Sequence, residues 1–246
     1  MPRIDLKQAR DIYYKTRDLW FADSVLDAHE RLGLITVAAR LRKFAFFNHL
    51  RSKEETALFL SSLGLHSHVQ SVCFDVNVEA HSISVRSKEA YVTAKKNDGF
   101  LGVAVWLSNN RPDGQLTLTQ LGTALEYPLC CVAMDVHTKE EEHRLSLEAL
   151  IEDFGDHPSQ IADALERGYP IEKPYPCFQE WDRRFRLTMA RFPFVLHTAC
   201  DGCLADSGSP SAALNSAYEK LAKEVSDELH FLVRWAARII SGGSDR

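Results

Sequence analysis

Residues 211–240 read SAALNSAYEK LAKEVSDELH FLVRWAARII, and this stretch decides the fold class. Leu214, Ala217, Tyr218, Leu221, Ala222, Val225, Leu229, Leu232 and Val233 recur at steps of three and four, often as adjacent pairs. Glutamates and lysines fill the positions between. That is the period of an amphipathic helix, and it predicts one long terminal helix with a continuous apolar stripe.

The same period extends to other parts of the chain. In residues 5–65, Ile12, Leu19, Val25 and Leu26 are followed by Leu32, Ile35, Ala39 and Leu41 on one face. Trp20, Phe44, Phe46 and Phe47 are expected in the core of these N-terminal helices. Ser52 with Glu55 reads as a capping box that opens a helix through Leu63, and Gly64 closes it. Short helices are expected at 117–124, 130–143, 145–154, 158–167 and 178–191, with a proline-rich connector at 169–176.

Residues 69–108 change character. Val72, Phe74, Val76 and Val78 alternate with polar residues, and Ile83 and Val85 resume the alternation. An apolar run at 100–107 follows the turn signal Asn97-Asp98-Gly99. Two or three strands and a short helix at 87–96 are expected. The predicted class is α+β, mostly helical, with a small antiparallel or mixed sheet in residues 69–108. The loop NNRPDG at 109–114 divides the chain into 1–110, helical with the small sheet, and 111–246, helical with most of the cysteines. A single continuous domain is the alternative.

The 246 residues, 45% of them hydrophobic, suffice for a sizeable core. A net charge of -5 with no basic block gives nucleic acid no electrostatic footing. No apolar run approaches the roughly 18 residues of a membrane span. Residues 1–20 are charged and amphipathic and lack the apolar centre of a signal peptide. A cytoplasmic location is expected, with a small molecule as partner rather than nucleic acid or membrane. In that compartment six cysteines favour metal or redox chemistry over a disulfide frame.

Four of the six cysteines fall in two pairs. Cys200-Asp201-Gly202-Cys203 has the short spacing that lets two sulfurs reach one metal across a tight turn. His197 lies three residues before it. Cys130-Cys131 follows Tyr127-Pro128 and opens an apparent helix, whose N-terminal amides favour thiolates. Adjacent cysteines are awkward on a single ion, and five ligands exceed the four of a closed zinc site. Both points favour an iron–sulfur cluster, with zinc as the alternative. Cys73 and Cys177 read as core filler.

The stretch Leu121-Gly122-x-x-Leu125-Glu126-Tyr127-Pro128-Leu129-Cys130-Cys131-Val132, with His197-x-x-Cys200-x-x-Cys203 further on, resembles the hallmark of an uncharacterised prokaryotic family. That hallmark is Leu-Gly-Tyr-Pro-x-Cys-Cys, then His-x-Pro-Cys and one further Cys. Ser211, Asn215 and Tyr218 extend the likeness, which covers residues 117–225. The chain departs from the pattern where Glu126 stands in place of Gly and Ala199 in place of Pro. Its final cysteines are also spaced by two residues rather than three. The resemblance implies that both cysteine pairs and His197 belong to one site, and it implies no substrate.

The expected function is therefore metal binding, most simply in a metalloenzyme, with Cys130, Cys131, His197, Cys200 and Cys203 as ligands. A scaffold protein with a structural zinc is the alternative, as is a thiol redox protein. The redox reading is disfavoured because residues 204–210 separate Cys203 from the expected helix. The charge run at 139–144 reads as a solvated face. His66 and His68 lack a visible third ligand, and His137 and His143 are poorly spaced for one helix face. Glu180, Trp181, Asp182, Arg183 and Arg184 read as surface ion pairing, or as an arginine that holds a substrate carboxylate. There is no Gly-rich phosphate loop, no G-x-S-x-G and no dinucleotide fingerprint.

Overall fold

The helical stripes and the alternating segment both find partners in the computed structural model, which describes residues 4–17, 27–47, 52–73, 99–106, 115–155, 157–166 and 176–242. The helices are α1 (Leu6–Lys15), α2 (Asp27–Ala38), α3 (Lys53–Ser62), α4 (Leu118–Ala124), α5 (Leu129–Phe154), α6 (Pro158–Glu166), α7 (Pro176–Arg191), α8 (Asp201–Ala205), α9 (Pro210–Val225) and α10 (Asp227–Ile240). The strands are β1 (Phe44–Phe47), β2 (His66–Cys73), β3 (Gly99–Trp106) and β4 (Leu116–Thr117). The fold is α+β and mostly helical, with a small mixed sheet in the order β1-β3-β2-β4. Leu19, Trp20, Val25, Leu26, the alternation beyond Cys73, the expected helix at 87–96, the loop at 109–114 and most of the proline-rich connector lie outside the described residues.

Four expectations change. Phe44, Phe46 and Phe47 are not helical. They form β1, antiparallel to β3, with Phe44 opposite Trp106 and Phe47 opposite Val103. α2 stops at Ala38, and Arg40 turns the chain with a φ of 61°. The bulky aromatic residues then suit a pleated, half-buried surface. The terminal helix is two helices, because Ser226 adopts extended backbone (φ -162°) and its side chain caps α10 by accepting the Glu228 amide. Residues 129–154 form one helix rather than two. The charge run inside it makes Lys139–Glu142, Arg144–Glu141 and Arg144–Glu148 pairs at helical spacing, and nothing breaks the helix before Gly155 (φ 63°). The expected capping box at Ser52 gives way to an N-cap without a side-chain bond, whereas Thr117 and Gln120 form a true one at α4.

The main core gathers α1, α2, α3, β1, β3, α9 and α10 around Tyr13, Leu32, Leu60, Phe194, Tyr218 and Val233. β4 runs parallel to β2, with Val72 opposite Leu116. Packing and pairing thus run across the expected boundary near residue 110. None of the described helices is long and apolar enough to cross a membrane.

Candidate metal centre

Two segments carry the cysteines, and each is held in place by local contacts. At Gly122, an added Cβ would sit 2.8 Å from Val132 Cγ2, so glycine lets α5 fold closely back on α4. Glu126 makes the turn between them with a φ of 53°, a left-handed conformation that favours glycine. The Glu126 carboxylate accepts the Lys43 amide at 3.0 Å. Tyr127 donates its hydroxyl to the Leu196 carbonyl at 2.5 Å, tying the first segment to the second. Cys130 and Cys131 then occupy the first turn of α5. In the second segment, Asn215 accepts the Phe194 amide and Thr188 Oγ1 accepts the Ala199 amide, both at 2.9 Å. Cys200 is the N-cap of α8, and Cys203 lies within that helix.

These segments bring four sulfurs together. Cys130 Sγ lies 4.0 Å from Cys131 Sγ and 3.6 Å from Cys203 Sγ, and Cys131 Sγ lies 3.7 Å from Cys203 Sγ. With Cys200 included, all four lie within 4.8 Å of one another, an arrangement that could hold a metal ion. Adjacency of Cys130 and Cys131 is therefore no obstacle to convergence. Cys131 and Cys203 are buried, Cys200 is half-buried and Cys130 is exposed. The N-terminal turns of α5, α8 and α9 all meet the group, and such ends favour thiolates. The Cys200 amide donates to Cys131 Sγ at 3.4 Å. No protein-family model, no curated protein and no solved structure matches the chain.

Electrostatics within the group are uneven. Burial raises the Cys131 thiol above its ordinary value, the partial loss of water around the sulfur raises that of the more exposed Cys130, and neighbouring sulfurs add to both. Burial also works against ionisation of Cys203. There, hydrogen bonds from Ser211, Cys130 and Cys131 outweigh it and hold the thiol below its ordinary value. A cation at the centre of the group would offset the desolvation and repulsion that keep the Cys130 and Cys131 thiols protonated.

His197 stands beside the four sulfurs rather than among them. Its Nε2 shares a 2.9 Å hydrogen bond with Ser211 Oγ, which in turn lies 3.7 Å from Cys131 Sγ. Burial, with the Arg42 charge nearby, lowers the imidazole to about 4, so the ring is neutral at ordinary pH. Sequence reasoning did not assign roles to Ser211, Thr188 or Arg42. The spacing of Ser211, Asn215 and Tyr218 along one face of α9 was the available signal for the first.

The remaining constellations settle elsewhere. Arg184 pairs with Asp201 at 2.8 Å and Glu180 at 3.0 Å, and Arg183 pairs with Glu180 at 2.6 Å. Both arginines are thus engaged by carboxylates of the chain itself. C-x-x-C does open a helix, contrary to expectation, though α8 has only five residues. His66 and His68 pack against Trp106, and His68 also bonds Gln70. Cys73 and Cys177 lie outside the sulfur group.

Proposed function

We propose that Cys130, Cys131, Cys200 and Cys203 hold one soft metal ion, zinc or iron, in a metalloenzyme whose substrate is a small molecule. The observation that carries the reading is the mutual proximity of four sulfurs drawn from two distant segments. Zinc–sulfur bonds of about 2.3 Å in a tetrahedron imply sulfur–sulfur edges of about 3.8 Å. The separations of 3.6, 3.7 and 4.0 Å fit such a shell. Thiolates are the ligands that soft ions select. His197 acts next to this shell through Ser211 rather than as a fifth ligand. The enzymatic reading is supported over a purely structural tie by a cavity whose wall includes Cys131 and His197.

An iron–sulfur cluster is the second reading, supported by exposed Cys130 beside buried Cys131. A cluster is wider than an ion, and an exposed ligand can move outward to meet it. The left-handed Glu126 supports the family resemblance, since the hallmark has glycine at that place.

Anaerobic purification with metal analysis tests the proposal. About one metal per chain is expected, lost in Cys131→Ser and Cys203→Ser and retained in Cys73→Ser and Cys177→Ser. Brown protein with acid-labile sulfide would select the cluster. Metal-free protein after anaerobic purification would overturn both readings.

A further inference from the structure

The cavity beside the sulfur group has a volume of about 400 Å³, which suits a small molecule. Much of its wall is apolar, from Phe46, Phe47, Leu121, Val132, Phe185 and Met189. Polar side chains interrupt that wall, among them Glu30, Asp135 and Thr198, and three of them have a buried atom without a hydrogen-bond partner: Arg42 Nε, His29 Nδ1 and His197 Nδ1. Buried polar atoms are nearly always satisfied in folded proteins, so three at one cavity point to something that fills it.

Arg42 and His29 each state a chemical demand. Arg42 is only 4% exposed. One terminal nitrogen donates to the Leu125 carbonyl, and the guanidinium lies over the rings of Tyr127 and Tyr218. No carboxylate pairs with it among the described residues. A buried cation without a counter-charge calls for an anion, and a guanidinium fork matches a carboxylate. His29 makes the opposite demand. Its Nε2 lies 2.9 Å from the Pro193 carbonyl, and a carbonyl only accepts, so Nε2 carries the proton. Burial keeps the ring neutral, which leaves Nδ1 as a bare acceptor that requires a donor. Asp135 also lines the cavity, but it is engaged by Trp181 Nε1 at 2.9 Å, and burial raises its carboxyl above the usual range.

We infer that this cavity binds a small, largely apolar carboxylic acid that also carries a hydroxyl or N–H donor, with its carboxylate on Arg42 and its donor on His29. The inference rests on the proposed metal centre only in placing the molecule against that centre, through Cys131 and His197 in the shared wall. The lack of any further unpaired cation in this wall argues against a polyphosphate, among the described residues.

The test uses the protein as purified and a panel of small acids, alcohols and amines of similar apolar bulk, read by ligand-observed NMR and calorimetry. Within it, 4-hydroxybenzoate, benzoate and 4-hydroxybenzyl alcohol form a matched set. The hydroxy acid should bind at least about tenfold more tightly than either partner that lacks one group. Arg42→Met should erase the preference for acid over alcohol, and His29→Phe the preference for the hydroxyl. The wild-type comparison stands alone should either variant misfold. Acids that bind no better than alcohols and amines, or no binding by any acid in the panel, overturn the inference. Repeating the titration with Cys203→Ser separates the two proposals. Acid binding by a chain that never holds metal sustains the cavity and rejects the centre, whereas a metal-loaded chain that binds no acid does the reverse.

Discussion

Around Leu32, Leu60, Tyr218 and Val233, twenty-five apolar side chains are buried together. Around Cys131 and Cys203 only seven are among the described residues, and two of those seven are the cysteines themselves. The first region draws its stability from area removed from water. The second has little such area, and its two halves are separated by most of α5, α6 and α7. A metal that joins Cys131 to Cys200 closes that long loop, so binding free energy becomes folding free energy there. With the proposed metal bound, one chain would use two kinds of stabilisation side by side.

The largest expected effect is the one that would break this comparison. Chelation of the metal, or Cys203→Ser, should raise amide exchange across residues 117–210 and cost several kcal/mol. Exchange in α2 should change little. Leu32→Ala should do the opposite, costing about 2–5 kcal/mol whether or not chelator is present. Equal protection of residues 117–210 in both metal states would mean that the cysteines do not organise this region.

A smaller effect sits at the joint between the regions, where His29 of α2 bonds the Pro193 carbonyl. Burial lowers its pKa below the ordinary 6.5. Below pH 6.5 the unfolded chain therefore takes up a proton that the folded chain refuses, and stability falls as pH falls. Its contribution is fully present above that pH. His197, lowered to about 4, adds a slope of the same sign. Urea midpoints measured at about pH 7.5 and about pH 5.5 should fall further in the wild type than in His29→Asn. Parallel slopes would show that His29 does not report on the joint.

Glu126→Gly should have the smallest effect. Relief of the left-handed backbone is worth about 1 kcal/mol. Loss of the bond to the Lys43 amide costs about as much. The urea midpoint should therefore move by less than the equivalent of about 0.5 kcal/mol. A clear gain would show that the hallmark glycine suits this turn better than the residue present.

What was legible in the sequence follows from range. Periodicity is local, so α1, α2, α9 and α10 could be read from their stripes, and Gly64 from its place after α3, where its φ is 83°. β1 could not, because four residues show no clear alternation and their partners in β3 lie far along the chain. Ser226 was hidden by a stripe that resumes in phase across it, although Ser226-Asp227-Glu228 carries the cap chemistry. In the centre, cysteine pairing and family resemblance pointed to convergence. Ser211 and Arg42 were not visible in the same way, since a polar residue in a helix or turn does not reveal what it will face once the chain folds.

Helix α9 runs between the sulfur group and α1. Its first turn presents Ser211 to the sulfurs. Its last turn holds Arg10 through the Glu224 carbonyl, with a bond of 2.6 Å. Sixteen residues of helix make a stiff rod about 24 Å long. One rigid element thus positions both the sulfur group and α1, with buried Tyr218 part-way along it.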